Sequence, residues 1–200
     1  MKIVIIKYNA GNIMSVENAI NRLGYNCIVT DDPEQIKIAD KVIFPGVGEA
    51  SSAMHYLKEK KLDQLIKSLK QPVLGICLGQ QLMCTYSEEG NTACMGVFET
   101  QVKKFPPKEL VPHMGWNNLQ NLKGDLFKGV SESDNVYFVH SYYAEVCENT
   151  TAICDYILPF SAAMQKNNFY ATQFHPEKSA DVGTIILKNF LEIKSDIIKY

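Results

Sequence analysis

Cys77 stands in Gly75-Ile76-Cys77-Leu78-Gly79, where the apolar run Val73–Ile76 ends and a helical pattern through Leu82, Met83 and Tyr86 begins. A strand that turns sharply into a helix lifts the residue at the bend clear of the backbone. Glycines on either side of such a bend remove Cβ atoms that would collide. A sulfur at a helix N-terminus lies where the dipole favours the thiolate, its reactive form. A cysteine at a strand end can equally be a packed apolar group, so the elbow is what points to a nucleophile.

A nucleophilic thiol needs a base. The chain has four histidines, His55, His113, His140 and His175. His175 directly follows the strand-like run Phe169–Phe174, and Pro176 prevents that strand from continuing. A histidine at a strand's C-terminal end belongs on the rim where open parallel sheets place their ligands, and Cys77 would share that rim. Glu177 can fold back to accept the other ring N–H of His175 and fix its tautomer. An isolated His-x-Glu is more often a solvated surface pair; beside the cysteine elbow it becomes a candidate catalytic pair. His55 reads as surface, and His140 as structural rather than a second base.

The elements that must position these groups follow from the pattern. Lys2–Lys7, Cys27–Thr30, Lys41–Phe44 and Val73–Ile76 read as strands. Between them lie helical stretches: Ile13 to Leu23 ending at Gly24, one starting at Asp32-Pro33, and one running from the Pro45-Gly46-Val47-Gly48 loop to about Leu69. Short strands with helical crossovers imply a mainly parallel sheet covered by helices on both faces. The second half changes character. It has Pro106-Pro107 and a Gly115-Trp116-Asn117 loop, then strand-like runs at Val136–His140, Ala152–Leu158 and Phe169–Phe174, and a last helix from about Val182 to Ile197. With no linker or repeat, residues 1–200 are expected to form one domain.

Composition bounds the rest. Of 200 residues, 46% are hydrophobic and 21% charged, and the net charge of −2 gives no basic excess for nucleic acid. No apolar run has the length of a signal or membrane segment, which predicts a cytoplasmic protein. The six cysteines show neither CxxC nor zinc-ligand spacing, so neither disulfides nor a metal is expected. The reading calls for no cofactor.

Gly75-Ile76-Cys77-Leu78-Gly79 with Gln173-Phe174-His175-Pro176-Glu177-Lys178-Ser179 resembles the class I, or triad-type, glutamine amidotransferases. The resemblance implies their flavodoxin-like α/β fold and a Cys77-His175-Glu177 triad that releases ammonia from glutamine. Further motifs run the length of the chain: Tyr8–Asn12, Pro45–Gly48, Pro112–Asn117 and Tyr137–Tyr143. These are similar to the branch of the family that serves imidazole glycerol phosphate synthase in histidine biosynthesis. That branch passes ammonia to a cyclase subunit built as a (β/α)8 barrel, the partner of a heterodimer. By the same resemblance Gly46, Val47, Gly48 and Leu78 supply oxyanion or backbone groups, and Gln81, Glu89, Ser141 and Tyr142 hold the amino-acid end of glutamine. Asn12, Trp116 and Lys178 would face the partner. Two departures stand out: Lys7-Tyr8-Asn9 replaces the usual Asp-Tyr-Gly, and Gln80 replaces a frequent methionine.

Two other readings remain open at this point. A paralogous glutaminase could feed a different synthase, such as a sugar amidotransferase. A flavodoxin-like binding or regulatory domain could carry a vestigial site, although the intact Cys77, His175 and Glu177 argue against it.

Overall fold

The computed structural model describes residues 1–194. Its first half alternates as the pattern requires: β1 (Ile3–Ile6), α1 (Ile13–Arg22), β2 (Cys27–Thr30), α2 (Pro33–Lys37), β3 (Lys41–Phe44), α3 (Ala50–Glu59), α4 (Leu62–Ser68), β4 (Val73–Ile76) and α5 (Leu78–Met83). The second half is mostly strand: β5 (Tyr86–Ser87), β6 (Thr92–Ala93), β7 (Gln101–Lys104), β8 (His113–Asn118), β9 (Asn135–His140), β10 (Tyr142–Ala144), β11 (Thr150–Tyr156), β12 (Leu158–Lys166) and β13 (Phe169–Thr172), then α6 (Ala180–Glu192).

β1, β3, β4 and β13 are buried at every position, as strands are when both faces of a parallel sheet are covered. Alternate side chains of a strand point to opposite faces. Ile3 and Ile5 of β1 accordingly join one core with Val16 and Ile20 of α1 and Ile186 and Phe190 of α6. Val4 and Ile6 join the other, with Met54 and Leu57 of α3, Ile66 of α4 and Leu82 of α5. The seven-stranded central sheet runs β11-β12-β13-β4-β3-β1-β2. Its pairs from β13 to β2 are parallel, and β11 and β12 add an antiparallel edge. The mainly parallel sheet flanked by helices is therefore as expected. A four-stranded sheet, β10-β7-β5-β6, and the ladder β8-β9 complete the strands.

Several boundaries differ from the sequence reading. The single helix expected up to Leu69 is two, because Lys61 takes a left-handed conformation (φ 57°) with no glycine or proline to announce it. The run Ala152–Leu158 is divided at Ile157 (φ 61°), where the chain turns from β11 into β12. Gly115-Trp116-Asn117 is part of a strand rather than a loop, paired with Phe138, Tyr137 and Val136 of β9. The last helix begins earlier, at Ala180, and ends at Glu192, where Ile193 turns extended; positions 195–197 of the expected helix lie outside the described residues. No helix among the described residues is long and apolar enough to cross a membrane.

Candidate active site

Cys77 and His175 come together because β4 and β13 are parallel neighbours, with Ile76 opposite Thr172. Both chains leave the sheet at the same edge, one into Cys77 and the other towards His175. The Cys77 N–H is anchored on the Thr172 carbonyl at 2.7 Å. Cys77 itself holds a φ of 54° and ψ of −106°, a conformation rarely taken by residues with a side chain, at the N-cap position of α5. Strain of this kind, with Cys77 still packed to 6% exposure, marks a site where geometry is imposed for a purpose. The flanking glycines let α5 lie close against the sheet. A Cβ on Gly79 would overlap the Phe44 carbonyl of β3, and one on Gly75 would lie 3.0 Å from the Gly79 backbone.

His175 and Glu177 have fully buried side chains, and Nδ1 lies 2.7 Å from the Glu177 Oε1. A buried carboxylate in this position fixes Nδ1–H and leaves Nε2 as the ring nitrogen able to exchange a proton. Nε2 makes no hydrogen bond within the described protein. Burial opposes the imidazolium. The negative sulfur of Cys77 and, after it, the Glu177 carboxylate outweigh that burial and push His175 up to about 10. His175 is thus held as an imidazolium beside the Cys77 sulfur.

The loop after β3 curls over Cys77. The Gly46 carbonyl accepts the Leu78 N–H at 3.2 Å, and the Val47 carbonyl accepts the Gly11 N–H at 3.1 Å. Leu78 N–H, expected as a free oxyanion donor, is therefore already engaged in this state. Among the described residues no group accepts from the Val47 or Gly48 N–H, and Gly48 holds a φ of 137°. Beneath the loop, the Tyr8 hydroxyl donates to the Pro45 carbonyl at 2.6 Å.

A cavity of about 300 Å³ opens beside Cys77, walled by Val47, Gly48 and Leu78 on the loop side and by Gln81, Glu89, Ser141 and Tyr142 opposite. Gln81 Nε2 donates to the Tyr142 carbonyl at 2.9 Å, which joins α5 to β10 within that wall. Glu89 accepts the Ala50 N–H at 2.8 Å. Burial first, and the charge of Glu49 after it, raise its carboxyl above the ordinary value, against the pull of that N–H. The cavity thus offers a carboxylate, hydroxyls and free backbone N–H groups around the Cys77 sulfur, a set suited to a small amino acid with an acyl group to cleave.

The sequence profile of the family "Glutamine amidotransferase class-I" matches residues 4–193. The chain belongs to this family. It is similar to the "Imidazole glycerol phosphate synthase subunit HisH" of Bacteroides fragilis, 62% identical over 196 residues, covering 96% of this chain and 100% of that protein. The protein of the same name from Haemophilus influenzae is 47% identical over 194 residues, covering 96% and 98%. Among solved structures, a glutamine amidotransferase from Thermotoga maritima superposes with a TM-score of 0.64 at 18% identity, covering 96% of this chain and 80% of that one. At that identity it speaks for the fold alone.

Of the three residues expected to face a partner, two are exposed and one is turned inward. Trp116 is 55% exposed, edge-on to Tyr137, and Lys178 is exposed beside the triad. Asn12, read from the resemblance as a partner residue, has its amide turned inward: Nδ2 donates to Glu177 Oε1 at 2.5 Å and lies 3.4 Å from His175 Nδ1. Its left-handed backbone (φ 72°) lets it reach the triad from the loop before α1. Among the departures from the usual motifs, Asn9 and Gln80 find partners, although Gln80 leaves its buried Oε1 unpaired among the described residues. Lys7 is exposed, Asn9 donates to the Ser52 carbonyl at 3.2 Å, and Gln80 donates to the Ser161 carbonyl at 2.9 Å across to β12.

Sequence reasoning misses Gln173 and His113, whereas His140 is structural, as expected. Gln173 places its side chain against the Cys77 sulfur. His113, buried on β8, stacks on Tyr156 and lies 3.0 Å from His140 Nε2, while His140 Nδ1 meets the Tyr142 carbonyl at 2.8 Å. Burial holds both rings neutral, pulling His113 down to about 4 and His140 to about 3. The pair braces the wall of the cavity, and the repeated alternation of β8 and β9 was the one signal that could have paired them.

Proposed function

We propose that this amidotransferase is the glutaminase subunit of an imidazole glycerol phosphate synthase, working in the cytoplasm with a (β/α)8-barrel cyclase subunit. The observation that carries this reading is the 62% identity to the Bacteroides fragilis protein over nearly the whole of both chains, joined to an intact Cys77-His175-Glu177 constellation. An identity so high over nearly the whole of both chains favours this branch over a glutaminase that feeds another synthase.

In this mechanism the Cys77 thiolate attacks the carboxamide carbon of glutamine. The carbonyl π electrons move onto oxygen, where backbone N–H groups of the Gly46–Gly48 loop and Leu78 stabilise the charge once the loop has adjusted; one such donor is worth roughly 2.7–4 kcal/mol. His175 gives its Nε2 proton to the departing nitrogen, the C–N bond breaks, and ammonia leaves a γ-glutamyl thioester. Neutral His175 then takes a proton from water, whose oxygen attacks the thioester. The C–S bond breaks, the thiolate returns and glutamate departs. Glu177 stays ionised throughout and holds Nδ1–H. Glu89 would pair the substrate α-amino group, with Ser141 and Tyr142 at its carboxylate. Ammonia passes to the cyclase, which makes imidazole glycerol phosphate and an aminoimidazole carboxamide ribotide.

Cys77→Ala tests the assignment in the reconstituted complex. Glutamine-dependent synthesis should vanish, while synthesis from added ammonium salt should survive because the cyclase does not need the thiol. Glutamine hydrolysis by the alanine variant at a rate near that of the unaltered complex would rule the mechanism out.

A further inference from the structure

We propose that Gln173 is a positioning residue for the nucleophile, its side-chain amide holding the Cys77 sulfur and tying it to the wall of the cavity. The inference rests on Cys77 being the nucleophile. It assigns work to a residue that the triad itself does not include.

Gln173 follows β13 and is completely buried, between Thr172 and Phe174, which are buried as deeply. A buried amide has to place its donors and acceptor on partners, and here the partners are specific. Gln173 Oε1 accepts from Gln81 Nε2 at 2.9 Å, and Gln173 Nε2 donates to Cys77 Sγ at 3.6 Å. The direction of this chain is forced. Gln81 Nε2 also lies 2.9 Å from the Tyr142 carbonyl, which can only accept, so the Gln81 nitrogen must be the donor at that corner. Gln173 must then turn its oxygen to Gln81 and its N–H to the sulfur. Backbone anchoring completes the arrangement, since the Gln173 N–H donates to the Ala162 carbonyl of β12 at 2.8 Å. Reversing Gln81 would set its oxygen against the Tyr142 carbonyl, and reversing Gln173 would set nitrogen against nitrogen at Gln81.

The chemistry favours such a donor. A neutral N–H stabilises a charged sulfur more than an uncharged one. The sulfur is charged before attack, uncharged in the thioester, and charged again as it leaves. An amide fixed on Sγ therefore helps restore the thiolate when the thioester breaks, and holds the side chain in one rotamer between turnovers. Gln81 lines the glutamine cavity, so the same chain links occupancy of that cavity to the position of the reacting atom.

The test uses the full chain without its partner. Cys77 is alkylated with iodoacetamide at one neutral pH, and adducts are mapped by mass, with the partly exposed Cys94 as an internal clock. Gln173→Met keeps the volume and removes both polar groups; Gln173→Glu keeps an acceptor for Gln81 and removes the N–H. Melting curves establish that each variant is folded. Loss of one net hydrogen bond predicts Cys77 labelling about three- to tenfold slower relative to Cys94. In the complex, kcat should fall by a similar factor with little change in KM for glutamine, and acid-quenched enzyme should carry more γ-glutamyl thioester than the unaltered protein. Labelling of Cys77 at the original rate in a folded variant would overturn the proposal. The labelling needs neither glutamine nor a cyclase, so failure of the proposed function would appear separately, as an unaltered chain that labels at Cys77 yet hydrolyses no glutamine.

Discussion

Gly46 is the point at which the loop over Cys77 is most tightly held, and replacing it with alanine should show how. A Cβ there would overlap the Tyr8 hydroxyl and lie 3.1 Å from Tyr8 Cζ and 3.2 Å from Ala10 Cβ. The ring cannot yield freely, because it is buried and its hydroxyl donates to the Pro45 carbonyl at 2.6 Å. Forcing an added carbon into a packed core destabilises by about 1–3 kcal/mol. Tyr8→Phe alone would strip a buried carbonyl of its donor, at a similar cost of about 1–3 kcal/mol. Joined in one chain, the two changes should partly cancel, since the phenyl ring has no oxygen where the new methyl must go. The double variant should be more stable than the sum of the single effects by about 1 kcal/mol or more. Urea unfolding of the four proteins measures this directly. Glutaminase rates in the complex add a second reading, because the Gly46 carbonyl holds the Leu78 N–H beside the nucleophile; Gly46→Ala should slow turnover even where the protein is folded. Strictly additive stabilities would refute the clash as the reason that Gly46 has no side chain.

Two other outcomes are expected. Glu177→Gln removes the charge that both His175 and Asn12 address, and should lower kcat about a hundredfold or more while His175, followed by NMR, titrates lower than in the unaltered protein, since the carboxylate is one of the groups that raise it; an unmoved titration would refute the role given to the carboxylate. The buried pair His113 and His140 titrates far below the ordinary 6.5, at about 4 and about 3. An unfolded chain takes up protons below about 6.5 that the folded pair refuses, so stability should fall as pH drops from there towards 4, and a flat urea midpoint across that window would contradict their neutrality.

The parts of the fold most legible in the sequence are those where burial is symmetrical. β1, β3 and β4 are apolar on both faces, so a plain hydrophobic run announces them, and Asp32 before Pro33 announces α2 by accepting the Glu34 N–H at 3.0 Å. β8 is different. It has a single neighbour and an exposed face carrying Met114 and Trp116, and Gly115 holds a φ of 136°, so its composition resembles a turn. Cys77 and His175 could be singled out because a tight bend and a proline leave local traces. Gln173 could not, and Asn12 reads only as a residue facing a partner, because their contacts with the Cys77 sulfur and Glu177 are made from distant parts of the chain, where nothing in the neighbouring residues records them.

The placing of β13 beside β4 has a consequence for how the protein is made. Strands β5 to β12 are all synthesised between these two neighbours, and 96 residues separate Cys77 from Gln173. A growing chain can form its elbow while the base, its carboxylate and the amide behind the sulfur have not yet left the ribosome. Pairings across so long an interval are also slow to close. Arming of the cysteine therefore coincides with completion of the parallel sheet, so that an unfinished or misfolded chain carries a thiol without a partner and destroys no glutamine. The order of the strands acts as a safety catch that only a finished molecule releases.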